Sequence, residues 1–463
     1  MKPVLLIDFG STYTKLTAVD LEKEVLLGTA SAYTTVQTDI NEGLENAKRC
    51  LEEKIGRLTY DACYACSSAA GGLRMITSGL VPELTGEAAR LASLGAGAKV
   101  VGVYAFQLTE DDLEQILADK PDIFLLAGGT DGGNTECILH NAKMLATLSP
   151  QFPIVIAGNR TAARQCETIL QGCEVYVCPN VMPKFGVLNT DPVQKQIREI
   201  FLNRIIQAKG LSKAAELLSD IMMPTPAAVL QAMELLSQGC EDEPGIGELI
   251  AVDVGGATTD IYSIADGMPE HMNTVYKGLP EPFAKRTVEG DIGMRYSVQG
   301  IVDTAGIDRI SDLAGLSKDR ATALIEMLKE NTDTVPNGDS ALEGLDFALA
   351  SCAVEEAVRR HAGTIEETYT MMGQTFVQEG KNLTKVKQIV VTGGSLIHSK
   401  NTEKIAEHAL YSPMQPASLR PREADVWVDR SYILAAMGLL AARHPKAALR
   451  IMKKELEHHG NSK

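Results

Sequence analysis

The sequence predicts an α/β protein with two similar halves, and three observations lead to this prediction. The opening stretch "LLIDFGSTYTKLTAVD" (5–20) has a counterpart in "LIAVDVGGATTDIYSIADG" (249–267). A second pair, "DIFLLAGGTDGGN" (122–134) and "KQIVVTGGSLIHS" (387–399), follows at a similar distance. Two motifs that recur in the same order indicate an internal repeat. The segments between them alternate between strand and helix patterns, which is typical of a largely parallel sheet covered on both faces.

The strand and helix patterns place the elements of each half. In the first half, strands are predicted near 3–9, 12–19, 25–33, 60–66, 99–105, 122–127, 153–157 and 173–178, with a helix at 40–55. In the second half, we expect hairpin strands at 249–276, long helices through about 310–380, a strand at 387–392, the short strand "ADVWVD" and a closing helix at 431–443.

The segment 180–248 has a different pattern from both halves. It contains two helix-like blocks, "PVQKQIREIFLNRIIQAKG" and "AAVLQAMELLSQG", which are separated by "MMPTP". A helical bridge between the halves is the simpler interpretation, and a docking surface for a partner is the alternative. The predicted domains are therefore 1–180, the helical segment 181–248, and 249–463 with C-terminal helices.

Length and composition restrict the class of protein. The chain has 463 residues, which is enough for two or more domains. Its net charge of −16 argues against non-specific binding to nucleic acid or to an anionic membrane. Neither a signal peptide nor a membrane-spanning stretch is recognisable. Nine scattered cysteines then suggest free thiols in a reducing cytoplasm.

Several common site motifs are absent from the sequence. No P-loop, no H-E-x-x-H and no zinc-spaced double cysteine pair occurs. The pair Cys63 and Cys66 is predicted to lie in a buried strand, where cysteine acts as a small hydrophobic residue. The stretch "SSAAGG" (67–72) is either a ligand-facing loop or a helix start capped by Ser67 or Ser68.

The two repeated hairpins carry the chemistry that suggests phosphate binding. A glycine at a tight turn lets backbone N–H groups approach a ligand, and several such groups together form a nest for an anion. Hydroxyls add donors, and a lysine adds positive charge. The predicted phosphate-binding residues are Gly10, Ser11, Thr12, Thr14 and Lys15 in the first hairpin, and Gly255, Gly256, Ala257, Thr258 and Thr259 in the second.

An aspartate precedes each hairpin turn. Asp8 and Asp253 would repel a phosphate directly, so they are predicted to hold Mg²⁺ through water molecules, as this ion prefers. One D-x-G hairpin alone is more often just a turn, but its duplication favours nucleotide binding. The residues Gly393, Gly394 and Ser395 end a strand where nucleosides often dock in α/β sheets.

These motifs resemble those of the actin, hexokinase and Hsp70 ATPase superfamily. "IDFGSTYTK" is similar to its first phosphate motif, "VDVGGATTDI" to its second, and "VVTGGSLI" to its adenosine motif. Ala257 stands where Hsp70 has a third glycine, and Leu396 and Ile397 replace the arginine that follows the adenosine motif. The resemblance implies two RNase-H-like lobes that flank a nucleotide cleft, with ATP and Mg²⁺ as ligands.

A narrower resemblance rests on four further motifs. "CSSAAGGLRM", "LLAGGTDGGN", "AGNR" and "VEGDIGMR" are similar to motifs in the MutL or GlmL accessory proteins of adenosylcobalamin-dependent glutamate mutase. The resemblance implies an ATP-driven reactivating or chaperone factor whose partner is glutamate mutase. The base-off cobalamin motif Asp-x-His-x-x-Gly is absent, which argues against direct cobalamin binding by that route.

The residue that positions the attacking water is open at this stage. Asp131, Glu289 and Asp291 are the candidate catalytic acids, and a turn or helix-cap role is the alternative for each. Asp260 is expected to hold its loop. Three functions remain possible: a mutase-reactivating ATPase, a small-molecule kinase of the same superfamily, or a nucleotide-gated scaffold with little turnover.

Overall fold

The computed structural model describes residues 1–10, 12–34, 40–68, 73–208, 220–270, 273–371 and 373–460. The chain divides into two compact units. The first contains residues 1–232 and 434–451, and the second contains residues 233–433 and 452–463. No helix in these described ranges is long and apolar enough to cross a membrane.

The first unit combines two sheets with helices. Its described strands are β1 Pro3–Phe9, β2 Tyr13–Asp20, β3 Val25–Tyr33, β4 Ala62–Ser67, β5 Arg74–Gly79, β6 Lys99–Ala105, β7 Ile123–Leu126, β8 Ile154–Ile156, β9 Val175–Val177 and β10 Asp220–Pro224. Its described helices are Ile40–Ile55, the π-helical turn Pro82–Gly86, Glu87–Gly95, Glu110–Asp119, Glu136–Thr147, Arg160–Ile169, Asp191–Ala208, Leu434–Ala441 and most of Thr225–Gln238 and Pro445–Glu455.

The mixed sheet of the first unit has the strand order β10-β4-β1-β2-β3. β1 pairs antiparallel with β2, and β2 pairs antiparallel with β3. β1 pairs parallel with β4, and β4 pairs parallel with β10. Every residue of β1 is buried, because β1 is the central strand and the helix Leu434–Ala441 packs on it. This is the strand order of an RNase-H-like lobe.

A second sheet is inserted between β4 and β10. It is entirely parallel, with the order β6-β5-β7-β8-β9. Strands β7 and β8 are fully buried, as expected for a parallel sheet with helices on its faces. One core cluster includes Phe124, Leu126, Ile138, Leu145 and Ile156 and joins the sheet to the neighbouring helices.

The second unit is built around another mixed sheet. Its described strands are β11 Gly239–Cys240, β12 Glu243–Pro244, β13 Leu249–Val254, β14 Thr259–Ile264, β15 Thr274–Lys277, β16 Ala284–Glu289, β17 Thr364–Thr370, β18 Gly373–Glu379, β19 Gln388–Thr392, β20 Asp425–Val428 and β21 Glu457–His459. Its described helices are Val298–Ala305, Ile307–Ala314, Lys318–Glu330, Ser340–His361, Gly394–Ile397, Thr402–Ala406 and the 3₁₀ turn Glu407–Ala409.

The main sheet of the second unit has the order β16-β14-β13-β19-β20-β21. Its first five strands correspond in order and direction to β3-β2-β1-β4-β10 of the first unit. Strand β21 adds an antiparallel edge. The long helix Ser340–His361 packs on this sheet through Leu345, Leu349 and Ala353. The predicted fold class, α/β with two RNase-H-like lobes, is therefore confirmed.

The strand pairings correct one part of the predicted repeat. In the first unit, Asp8 lies opposite Lys15 on β2 and Cys66 on β4. The equivalent residue of the second unit, Asp253, lies opposite Asp260 and Thr392. The counterpart of β19 is therefore β4, and its pairing with 122–134 was wrong. The two stretches look alike because buried parallel strands in both sheets end in glycine turns.

Several elements differ from their predictions. The sequence pattern missed β5 and β10, which are short strands that begin with a charged residue and end in glycine or proline. The two helix-like blocks in 180–248 are helical, but β10 between them completes the first mixed sheet, which places most of this segment in the first unit. Strands β17 and β18 pair antiparallel where helix was expected, since they contain Thr, Tyr, Phe and Val, which favour strands.

Candidate functional site

Both repeated motifs form β-hairpins whose turns close in the same way. The Gly10 N–H donates to the carbonyl of Tyr13 at 3.1 Å, and the Gly255 N–H donates to the carbonyl of Thr258 at 2.9 Å. A methyl group at Gly10 would lie 2.5 Å from the Tyr13 oxygen. Glycine is thus needed for close packing within the first turn. Ser11, which was predicted to contact phosphate, lies outside the described residues.

The second turn presents backbone donors toward solvent. Gly256 and Ala257 are exposed. Within the described part of the chain, the N–H groups of Gly256, Ala257 and Thr258 donate to no backbone acceptor. Three successive free N–H groups form the kind of nest that binds an anion. The turn therefore fits the phosphate role predicted for it.

Two predicted phosphate ligands face the interior instead. The Thr14 and Thr259 side chains are fully buried. The Thr14 hydroxyl lies 3.1 Å from that of Thr34, and the Thr259 hydroxyl donates to the carbonyl of Ile292 at 3.0 Å. These hydroxyls hold the hairpins in place, because strand alternation turns them inward. Thr12 is partly exposed, and its carbonyl accepts from the Thr34 N–H.

Asp8 is buried and held by three neighbours. Its Oδ1 accepts from the hydroxyl of Thr225 at 2.6 Å and from the Cys66 thiol at 3.5 Å. Its Oδ2 lies 3.9 Å from Lys15 Nζ. Burial and the nearby carboxylate raise the pKa of the Cys66 thiol well above its ordinary value, so the thiol keeps its proton and can donate it. Asp8 is thus a fixed carboxylate whose charge is partly balanced.

Asp253 lies beside the glycine pair that ends β19. A methyl group at Gly393 would lie 2.8 Å from Asp253 Oδ1 and 2.4 Å from the Val254 carbonyl oxygen. Gly393 also has a φ of 96°, which favours glycine. The Ser395 hydroxyl donates to the Val254 carbonyl at 3.3 Å, and a methyl group at Gly394 would meet nothing within 4 Å. The turn is thus packed against the aspartate on one side and open on the other.

A hydrogen bond like that of Ser395 to the Val254 carbonyl also occurs in the first unit. The Ser67 hydroxyl donates to the carbonyl of Phe9, which is the residue equivalent to Val254. Ser67 ends β4, and Ser68 follows it. Residues 69–72 of "SSAAGG" lie outside the described residues.

Asp260 is held by a buried arginine. Arg286 donates to Asp260 Oδ1 from Nε at 2.9 Å and from its terminal amino group at 2.6 Å, and Arg286 is only 4% exposed. The Thr258 hydroxyl lies 3.4 Å from the other Asp260 oxygen. These bonds favour a role for Asp260 in holding the second hairpin.

Glu289 and Asp291 meet at one arginine that the sequence pattern did not reveal. Arg360 donates to Glu289 at 2.9 Å and to both oxygens of Asp291 at 2.8 and 2.9 Å. Burial raises the pKa of Glu289, whereas the Arg360 hydrogen bonds lower the pKa of Asp291. Two carboxylates that are two positions apart in sequence thus have different environments.

The loop 289–296 is bonded directly to the second turn. Met294 N–H donates to the Gly255 carbonyl, and the N–H groups of Arg295 and Tyr296 donate to the Gly256 carbonyl. A methyl group at Gly293 would lie 2.4 Å from the backbone of Ala257. The structure therefore brings Asp253, the second turn, Glu289 and the Gly393–Ser395 turn together in one unit.

Asp131 lies in the first unit, in the loop that follows β7 of the parallel sheet. Its Oδ1 accepts from the Arg160 N–H and from the Asn180 side chain, both at 3.0 Å. The buried Asn159 side chain bonds the same glycine-rich loop. Among the described residues, no hydrogen bond or ion pair joins Asp131 to Asp8. These contacts favour the alternative interpretation of Asp131 as an acid that holds loops.

The described residues form no cluster of three or more His, Cys, Asp or Glu side chains with the spacing of metal ligands.

Comparison with known proteins assigns the chain to a family. The sequence pattern of the MutL protein family matches residues 4–456. The protein named MutL from Clostridium tetanomorphum is 46% identical over 460 residues. This chain belongs to the MutL protein family. The alignment covers 98% of this chain and 99% of the C. tetanomorphum MutL.

Solved structures resemble the MutL-family chain only loosely. Component A of (R)-2-hydroxyglutaryl-CoA dehydratase from Acidaminococcus fermentans has 10% identity and a TM-score of 0.30, with 98% of this chain and 99% of that chain covered. A ligand-bound xylulose kinase from Lactobacillus acidophilus has 12% identity and a TM-score of 0.37, with 99% and 93% covered. The fold of this MutL-family chain is defined by its own strand orders.

Sequence reasoning missed Thr225, Arg286 and Arg360 in this MutL-family chain. Thr225 begins a helix and precedes Pro226, which is a helix-start signal. That signal predicts the helix but not the bond to Asp8, because the two residues are far apart in sequence. Arg360 and Glu289 are also distant in sequence, at 71 positions apart.

Replacing Thr225 tests whether its hydroxyl supports Asp8. Thr225→Val removes a hydrogen bond to a carboxylate and should lower the free energy of unfolding by about 1.5 kcal/mol. Thr225→Ser keeps the hydroxyl and is the matched control. The urea midpoint of each variant measures the effect, and equal midpoints for the Val and Ser variants would contradict it.

Proposed function

We propose that the chain binds ATP with Mg²⁺, hydrolyses it, and acts as a reactivating factor for adenosylcobalamin-dependent glutamate mutase. The observation that carries the nucleotide part is the second hairpin turn. Its three free N–H groups lie in the same unit as Asp253, Glu289 and the open Gly393–Ser395 turn. The first unit has the equivalent residues Asp8 and Gly10 in its own hairpin.

The residues on the second turn suit a polyphosphate. Gly256, Ala257 and Thr258 would donate their N–H groups to phosphate oxygens. Gly394 leaves room on the exposed side of the adenosine-type turn, where a nucleoside would approach the backbone closely. Lys15 is the cation of the first hairpin, and it lies close to Asp8.

The carboxylates fit a magnesium ion that is held through water. Asp253 lies in the same unit as the second turn, beside the Gly393–Ser395 turn, and Asp8 is its equivalent in the first unit. Mg²⁺, when bound, offsets phosphate charge and polarises the phosphoryl group. The oxygen donors that this ion prefers are the ones present.

Glu289 is the best candidate for orienting the attacking water. It lies opposite Thr259 across the β14–β16 pair, directly beside the second turn. Only one of its oxygens bonds Arg360. Asp291, in contrast, is more exposed and has both oxygens bonded to Arg360.

The partner is inferred from the family rather than from a contact. The chain belongs to the MutL protein family, and its motifs resemble those of glutamate mutase accessory proteins. We infer that ATP binding and hydrolysis change the affinity for the mutase, so that damaged cobalamin can leave. A ligand shifts such an equilibrium only through different affinities for the two states.

A reactivation assay tests this function. Glutamate mutase is inactivated by turnover and then supplied with fresh adenosylcobalamin, ATP, Mg²⁺ and this protein. Mutase activity should return with the wild-type chain and with Asp266→Ala, an exposed acid of the second unit. It should not return with Asp253→Ala. If the wild-type chain restores no more activity than cofactor alone, the reactivating function is wrong.

A further inference from the structure

Arg360 links the two acids of the loop after β16 to the long helix Ser340–His361. It occupies the penultimate position of that helix. One terminal amino group bonds Glu289 and Asp291 together, at distances of 2.8 to 2.9 Å. Its Nε donates to Glu356 Oε1 at 2.7 Å, one helical turn earlier. The guanidinium is therefore fixed from both ends.

Arg360 bonds one oxygen of Glu289 but both oxygens of Asp291. Both oxygens of Asp291 accept from Arg360, and the Asp291 side chain is 53% exposed. Glu289 is 14% exposed and accepts through Oε2 alone. No described residue donates to Glu289 Oε1, so this oxygen is available to a water molecule.

Glu289 is also fixed relative to the second hairpin turn. It faces Thr259 in the strand register, and the Thr259 hydroxyl donates to the carbonyl of Ile292. The Met294 N–H then bonds the Gly255 carbonyl. The loop is thus attached to the turn on either side of Asp291. Any shift of the Glu289 carboxylate would come from its own side chain, which Arg360 restrains.

Three acids accept hydrogen bonds from Arg360. Glu356 accepts from both Arg359 and Arg360, and Glu289 and Asp291 complete the group. Asp260, on the neighbouring strand, is paired with Arg286. Arg359 shares Glu356 with Arg360 and has no described bond to either acid of the loop.

We propose that Arg360 is a positioning residue that holds Glu289 beside the phosphate-binding turn with Oε1 directed to the attacking water. This inference rests on the proposed ATP hydrolysis. In that reaction the water oxygen bonds the γ-phosphorus, while the bond to the bridging oxygen breaks and ADP leaves with its electron pair. One water proton passes to Glu289 Oε1 and then to solvent. Asp291 remains ionised and keeps the guanidinium in place.

Arg360→Gln and Arg359→Gln form a matched pair for testing this role. The first readout uses the nucleotide-free protein, in which ¹³C NMR follows the carboxyl groups of Glu289 and Asp291 during a pH titration. Arg360→Gln removes the cation that lowers the pKa of both acids, so both values should rise. Arg359→Gln should leave them within the error of the wild-type values. Glu289→Gln and Asp291→Asn assign the signals.

The second readout is the pH profile of ATP turnover. A higher pKa of Glu289 moves the acidic limb of kcat to higher pH, because the carboxylate must be ionised to accept a proton. Arg360→Gln should also lower kcat about tenfold near neutral pH, because the Glu289 carboxylate is then no longer held in position. Its affinity for ATP should stay within about twofold of wild type, since the N–H groups of the turn are unchanged. Arg360→Lys restores the charge and should recover part of kcat.

The outcomes separate this role from the proposed function. If Arg360→Gln and Arg359→Gln give the same carboxyl pKa values and the same pH profile, Arg360 is not a positioning residue. If the wild-type chain binds no ATP, the proposed function fails, and the proposal for Arg360 fails with it. If ATP binds and is hydrolysed normally in Arg360→Gln, only the role of Arg360 is overturned.

Discussion

The Glu289→Gln variant is expected to hydrolyse ATP about 100- to 10,000-fold more slowly than wild type, the range in which a positioned general base contributes. Glutamine preserves the size of the side chain and can still accept a hydrogen bond from Arg360. It cannot accept the proton of the attacking water. The affinity for ATP should remain close to wild type, because the variant leaves the turn N–H groups and Asp253 unchanged.

Single-turnover hydrolysis at saturating ATP measures this effect. Asp291→Asn is the comparison variant, since Asp291 lies in the same loop and bonds the same arginine. We expect Asp291→Asn to lose much less activity than Glu289→Gln. Equal losses in the two variants would assign the proton transfer to neither acid specifically, and a larger loss in Asp291→Asn would reverse the assignment.

The Asp253→Ala variant is expected to bind ATP about 10–100-fold more weakly in the presence of Mg²⁺, which is the typical cost of removing a group that supports a metal through its outer shell. The variant removes the carboxylate beside the Gly393–Ser395 turn without adding bulk. Its backbone pairs within β13 remain available, because alanine keeps the strand geometry. The loss should therefore appear in ligand affinity more than in folding.

Calorimetric titration with ATP, with and without Mg²⁺, checks this expectation. Without Mg²⁺, wild type and Asp253→Ala should bind ATP with similar affinity. Asp266→Ala is the control for removing an exposed acid from the second unit. An unchanged affinity of Asp253→Ala with Mg²⁺ present would remove this aspartate from the metal site.

The sequence alone was sufficient to predict the two repeated hairpins. The pattern of an apolar strand, aspartate, glycine and a hydroxyl-rich turn predicts both hairpins correctly, because strand alternation and turn residues are local properties. Hydrophobic patterning also predicts the central strands, since burial on both faces demands continuous apolar residues. From the two repeats and the family motifs, the α/β class with two RNase-H-like lobes could be predicted.

Tertiary structure decided which of these parts meet. It pairs β4 with β1, which makes β4 rather than β7 the counterpart of β19, because the neighbours of a strand depend on hydrogen bonds between segments that are distant in the chain. It turns Thr14 and Thr259 into the interior and brings Thr225 to Asp8. It bonds Asp131 to Arg160 and Asn180, and it joins Glu289 to Arg360 across 71 positions of sequence. Local propensity contains no information on such contacts, since they form only when the helix Ser340–His361 packs against its sheet.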